Sequence, residues 1–565
     1  MKRFLLGLAL VVVTTSGLAQ VAKISTVLHG KKDNDLADVI VQFTTTPGAI
    51  HRAKILAHKG IIKDDLSFIK ALHASIPDSE LDDLSQDPTV TYISPNRKIQ
   101  SSLNNTTGAV LANYPWGLGL DGSGVGVAVI DSGVRMVEDL RTVNDKKTRV
   151  RYSFDAIGGG TDDLYGHGTH VAGIVAGNAA ASSCPSCDVQ LQGLAPSARI
   201  LNFRALDQNG EGTDMSVIIA IYQAILVQYE HNIRVMNLSV GRPVYESYTV
   251  DPLCQAVEAA WNSGIVVVVA AGNDGRDNSF DNNGYGTINA PGNDPYVITV
   301  GAMNTMGTPD RADDVMTTYS SKGPTPIDHI VKPDIVAPGN QVVSLQAQGS
   351  TLVNTYPANI PPVGYYHEGD AQRPSPNYFI LSGTSMATPV VSGAAALLLQ
   401  RHPWLTPDQV KARLMRSAYK TFPQYTSITD SGVTYTIQYD VFTVGAGYLD
   451  LQAAFSDSHE RDNADRSAKS PTAVYDAATN SVYFVRDSSA VWGSSAMWGA
   501  SSVWGANAFV GSQSAMWGSS ALWGSSAMWG SSTTEAFSAM WGSSAMWGSD
   551  TSMPDPMSIE LNGDN

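Results

Sequence analysis

Cysteine is scarce in this chain, three in 565 residues, too few for a disulfide-stapled scaffold. Basic residues are in deficit: 36 Lys and Arg stand against 52 Asp and Glu, a formal net charge of −16. An acidic chain repels phosphate backbones, which argues against nucleic acid as a partner. Charged residues make up only 16% against 43% apolar, which excludes a disordered polyelectrolyte. Long apolar runs are also lacking, with one exception. Phe4 to Val13 follows the positive Met1-Lys2-Arg3 and precedes the small residues of Gly17-Leu18-Ala19. Ten apolar residues fall short of the roughly 20 that a membrane-spanning helix needs. The order of charge, apolar core and small residues is that of a secretory signal peptide cut after Ala19. The alternative is a buried N-terminal strand or helix. The expectation is a secreted or extracellular protein, surface-associated at most, with no transmembrane segment in its mature form.

In that compartment Cys184 and Cys187, framing Cys-Pro-Ser-Cys, suit a small-loop disulfide, and no second Cys or His pair lies nearby in sequence for zinc. Cys254 shares an apolar helical pattern with Leu253, Val257, Ala260 and Trp261, which reads as a buried thiol.

The length allows about three or four domains. After the signal peptide (1–19), residues 20–103 mix strand and helix signals. Val39–Phe43 and Val90–Ile93 read as strands, and Leu66, Ile69, Leu72 and then Leu81, Leu84 recur at helical spacing. From 104 to 456 apolar runs of strand length (Val125–Ile130, Arg199–Leu206, Val235–Val240, Ile265–Ala271, Tyr296–Ala302) alternate with helical stretches at Val171–Ala176, Met215–Gln228 and Pro252–Asn262. This predicts an α/β fold, a doubly wound, mostly parallel sheet with helices on both faces. Residues 457–490 read as a linker or short β region. Residues 491–550 repeat Met-Trp-Gly-Ser-Ser-Ala, with Trp492, Trp498, Trp504, Trp517, Trp523, Trp529, Trp541 and Trp547 mostly six apart. The repeat fits either short strand–turn units or a flexible Gly/Ser-rich tail with exposed aromatics. Residues 551–565 read as a polar tail.

Chemistry concentrates in four places. The Val125–Ile130 strand ends in Asp131-Ser132-Gly133, where a doubly wound sheet places its ligand sites. Gly166-His167-Gly168-Thr169-His170 opens an apolar helix, and His exchanges protons near neutral pH. His170 reads as a packed residue, and the three-residue spacing without Glu excludes a His-Glu-x-x-His zinc site. Gly383-Thr384-Ser385-Met386-Ala387-Thr388-Pro389 starts a helix apolar all round, where free N–H groups and the helix dipole favour developing negative charge. Pro389 suits its first turn. Gly272-Asn273 follows the strand ending at Ala271, where the amide can donate to an oxyanion.

These four motifs, in that order, resemble those of the subtilisin-like serine peptidases (subtilases). The resemblance covers roughly residues 110–456. It implies a secreted serine endopeptidase with Asp131 orienting, His167 as base, Ser385 as nucleophile and Asn273 as oxyanion donor, which needs no cofactor for its chemistry. Gly272 belongs to the same element as Asn273, and Ser239, Val240 and Gly241 resemble the edge on which a protein or peptide substrate binds. Arg242 stands where the family has a second Gly. Residues 20–103 resemble the family's propeptide, a self-processed chaperone and inhibitor. Asp139 resembles a calcium ligand, so structural calcium is a candidate. The competing reading is a surface-binding or adhesive protein. In it the Trp repeats engage cell envelope, polysaccharide or another copy of the chain, and the peptidase part serves maturation.

Overall fold

The computed structural model describes residues 23–24, 36–95, 102–142, 144–279, 282–367, 372–430, 432–456, 467–476, 481–485 and 556–564. The signal-peptide segment and the Trp repeats lie outside the described residues. The chain divides into two compact units, Met1–Ile99 and Gln100–Asn565.

The first unit is an antiparallel sheet of β1 (Leu36–Phe43), β2 (Ile61–Leu66), β3 (Ala71–Pro77) and β4 (Val90–Pro95) in the order β2-β3-β1-β4. Val39, Val41 and Phe43 alternate into its core, as a half-buried strand requires. Helices α1 (Ala49–Ala57) and α2 (Asp78–Ser85) add Ile55, Leu81 and Leu84 to that core. The expected helical face at Leu66, Ile69 and Leu72 is corrected. Leu66 ends β2, Leu72 lies in β3, and a 3-10 turn closes between them with Lys70 at φ +58°. The spacing of three spans a strand, a turn and a strand. The edge strand β2, almost wholly exposed or half-buried, carries no alternation to reveal it.

The second unit is built on β5 (Gly126–Asp131), β6 (Val150–Asp155), β7 (Arg199–Arg204), β8 (Ile233–Leu238), β9 (Val266–Ala270), β10 (Ile298–Asn304), β11 (Val315–Met316) and β12 (Ile335–Pro338). Their order is β11-β10-β9-β8-β5-β7-β6, with β12 also on β10, and among these pairings only β10 with β11 is antiparallel. Every residue of β5 and β9 is buried, as in parallel strands covered on both faces. Helix α3 (His167–Ala176) packs on α6 (Thr384–Arg401), and α4 (Asp214–Leu226) packs on α5 (Pro252–Asn262). Local sequence starts these helices. The Asp251 carboxylate accepts from the N–H of Leu253 ahead of α5, with Pro252 in its first turn, and Thr213 caps α4 by accepting from Ser216. Beyond β12, the short strands β13 (Val342–Leu345) and β14 (Tyr378–Leu381) pair antiparallel next to the start of α6.

The 457–490 region does contain a hairpin, Thr472–Asp476 with Ser481–Val485. It joins the large core through Ala473 and Phe484. The polar tail expected over 551–565 is corrected. Residues Pro556–Asn562 form α7, Ile559 enters the same core, and Asp564 is buried. Met557 and Leu561 pack against that core beside Ile559, but three apolar residues two apart in so short a stretch give no helical period, so the composition reads as polar. Cys184 and Cys187 form a disulfide, and Cys254 is a buried thiol. No described helix is long and apolar enough to cross a membrane.

Candidate active site

β5 delivers Asp131, fully buried, to its C-terminal end, and α3 begins there with His167. His167 Nδ1 lies 2.7 Å from Asp131 Oδ1. The approach depends on Gly168, because a Cβ there would fall 2.2 Å from the Gly133 carbonyl oxygen. Asp163, buried and not singled out by the sequence, holds the helix start. It accepts from the N–H groups of Gly166 (2.7 Å) and Thr169 (2.8 Å) and from the Ser132 hydroxyl (2.9 Å). Free N–H groups at a helix N-terminus favour such a carboxylate. The signal was an Asp just ahead of the Gly-His motif. His170 packs as expected, with Nε2 3.1 Å from the carbonyls of Val342 and Phe379.

From Thr384 to Leu399 every residue of α6 is buried except Ser385. Pro389 lies inside the helix rather than in its first turn. Its missing N–H would have bonded the carbonyl four residues back, that of Ser385. The Ser239 hydroxyl takes that carbonyl instead, at 2.8 Å, and the Ser385 hydroxyl donates to the Ser239 carbonyl at 3.1 Å. Asn273 Oδ1 accepts from the N–H (2.9 Å) and hydroxyl (3.1 Å) of Thr384. Its amino group is left facing Gly383, where a Cβ would stand 3.1 Å away. Gly272 is set back, its N–H on the Thr384 hydroxyl at 3.2 Å.

A cleft of about 290 Å³ is lined by His167, Ser385, Ser239, Val240, Gly241, Arg242, Val217, Leu253, Tyr165 and Glu560. Thus Ser239, Val240 and Gly241 come together with His167 and Ser385. The Arg242 guanidinium is neutralised by Asp214 (2.8 and 2.9 Å) and Asp251 (3.0 Å). Glu560 is a cleft residue that sequence reasoning missed. Burial drives the His167 pKa down, but the carboxylates of Asp131, Glu560 and Asp163 outweigh it and raise it to about 9. A hydroxyl that shares a cleft with an imidazole ordered by a carboxylate, with an amide donor nearby, can perform acyl transfer.

Asp139 does not fit a calcium ligand. Its Oδ1 accepts from the Ala181 N–H (2.7 Å) and its Oδ2 from the Tyr378 hydroxyl (2.9 Å), while the Arg149 guanidinium sits on its carbonyl at 2.6 Å. Burial raises its pKa to about 6, and a second cation would meet the arginine. Among the described residues no group of three or more His, Cys, Asp or Glu could hold a metal.

Residues 122–463 match the sequence model of the subtilase family. The chain is 36% identical over 374 residues to serine protease AprX of Bacillus subtilis (strain 168), covering 64% of this chain and 76% of that protein. It is 31% identical over 386 residues to subtilisin E of the same strain, covering 67% and 84%. It is 32% identical over 365 residues to the extracellular serine proteinase of Thermus sp. (strain Rt41A), covering 61% and 70%.

Proposed function

Because this chain belongs to the subtilase family of serine proteases, we propose that it is an exported endopeptidase that hydrolyses peptide bonds through an acyl-enzyme at Ser385. The observation that carries this reading is the 2.7 Å contact of His167 Nδ1 with the buried Asp131, in the cleft that is also lined by Ser385, the one opening in an otherwise buried helix start. Ser385 swings its hydroxyl from the Ser239 carbonyl to His167, gives up its proton there and attacks the substrate carbonyl. Asp131 fixes the imidazole tautomer and supports the imidazolium. The Asn273 amide and the Ser385 N–H hold the oxyanion. His167 then protonates the leaving amine, and a water, deprotonated in turn by His167, releases the acyl group. The peptide lies as an added strand along Ser239, Val240 and Gly241.

Export is supported by the N-terminal charge, apolar core and small residues, and by the kinship with a proteinase named extracellular. The first unit serves as a self-cleaved propeptide and inhibitor. The relatives named above are all proteases, which gives the adhesive reading no support. Ser385→Ala should abolish peptide hydrolysis and leave residues 20–103 attached, as read by intact mass. Normal maturation of this variant would mean that another protease does the cutting.

A further inference from the structure

The C-terminal segment is seated beside the candidate active site by contacts that reach across the sequence. Ser382, three residues before Ser385, donates its N–H to the Glu560 carbonyl at 2.7 Å. Asn359 donates to the Leu561 carbonyl at 2.6 Å. Asn340 exchanges two bonds with the backbone of Asp564, at 2.8 and 2.9 Å. The Asp564 carboxylate accepts from the Arg276 guanidinium at 2.8 Å and the Thr318 N–H at 2.7 Å. A buried carboxylate met by a guanidinium and an amide is a built recognition site, since charge-assisted bonds of this kind are the strong ones. Gly563 lets the chain close on it, because a Cβ there would fall 2.4 Å from the Ser382 hydroxyl.

Glu560 adds a second, independent observation. It lines the cleft that holds His167 and Ser385, where its carboxyl meets the Tyr165 side chain and the charge of the His167 imidazole. A segment that served only as an anchor would need no carboxylate beside the imidazole of the proposed base. The far end of the intervening chain is fixed too, with Phe484 in the core of the same unit. Chain connectivity therefore keeps the segment within reach of the same unit, so its binding is intramolecular.

We infer that Thr318, Asn340, Asn359, Arg276 and Ser382 form a peptide-binding groove whose occupant is the chain's own acidic C-terminal segment, Pro556–Asp564. Seated there, the segment is a strap that narrows the catalytic cleft and lifts when an extended substrate enters. This rests on Ser385 being the reactive serine, and the test keeps the two apart. Full-length protein and Asp564→Ala, matured identically, are labelled with an extended peptidyl organophosphonate, and the rate of adduct formation at Ser385 is followed by mass. The strap predicts labelling about tenfold faster in Asp564→Ala, as for a strap seated some nine-tenths of the time. It also predicts that a synthetic peptide of residues 556–565 slows the variant again in competition with the reagent. Equal rates in the two folded proteins, or a peptide without effect, would overturn the strap. Absence of any adduct in both proteins would instead overturn the reading of Ser385. Should Asp564→Ala fail to fold, Asp564→Asn, which keeps the side-chain shape and removes the charge facing Arg276, is held to the same outcomes.

Discussion

Ser239 and Ser385 exchange two hydrogen bonds, each hydroxyl donating to the other's carbonyl, at 2.8 and 3.1 Å. The exchange exists because Pro389 leaves the Ser385 carbonyl without its helical donor. Asn237 steadies it by donating to the Ser239 hydroxyl at 2.9 Å. Ser239→Ala should orphan that carbonyl and cost about 1–3 kcal/mol in urea unfolding. In a Pro389→Ala background the restored N–H can take the carbonyl, so the same substitution should cost less. An equal cost in both backgrounds would mean that the proline does not create this arrangement.

The pH dependence follows from the surroundings of His167. Asp131 from β5, Asp163 from the loop before α3, Glu560 from α7 and Tyr165 face it, and His170 lies on its own helix. With the imidazole pKa raised to about 9, His167 as the proposed base is protonated at neutral pH, so kcat/KM should climb through about pH 9. Glu560→Gln removes one raising charge, and the acid limb should move to lower pH. The same pairing contributes stability that is complete below the ordinary imidazole value of about 6.5 and is lost as pH rises through the folded value. An acid limb that does not move in Glu560→Gln would place Glu560 outside the electrostatics of the site.

Below the sheet ends, Asp334 holds two buried lysines, Lys332 at 2.7 Å and Lys411 at 3.1 Å, all at most 1% exposed. Burial pushes the Asp334 pKa up, but the two ammonium groups outweigh it and lower it, while burial drives Lys411 down to about 7. Asp334→Ala would strand both cations and should cost about 3–5 kcal/mol, read by chemical unfolding. Adding Lys411→Met should return part of that loss. A single-variant loss below about 1 kcal/mol would mean that the lysines reach water.

The second unit was legible because its central strands are largely apolar runs and its proposed reactive residues sit at element ends. Asp131 closes β5, and His167 and Ser385 open helices. Tertiary partners were not legible. Nothing local links Asp564 to Arg276, 288 residues away, or Glu560 to the cleft. Asp139, read as a calcium ligand by resemblance, instead spends its oxygens on Tyr378 and Ala181. In the first unit, the exposed edge strand β2 lacked the alternation that would have separated it from a helix.

The most direct test of the central claim is the site of covalent capture. The matured protein, treated with a small organophosphonate and digested, should carry one adduct on Ser385. His167→Ala should slow that capture by orders of magnitude while the protein stays folded. A folded, proteolytically active protein that carries no adduct on Ser385, or carries it on another serine, would contradict the account.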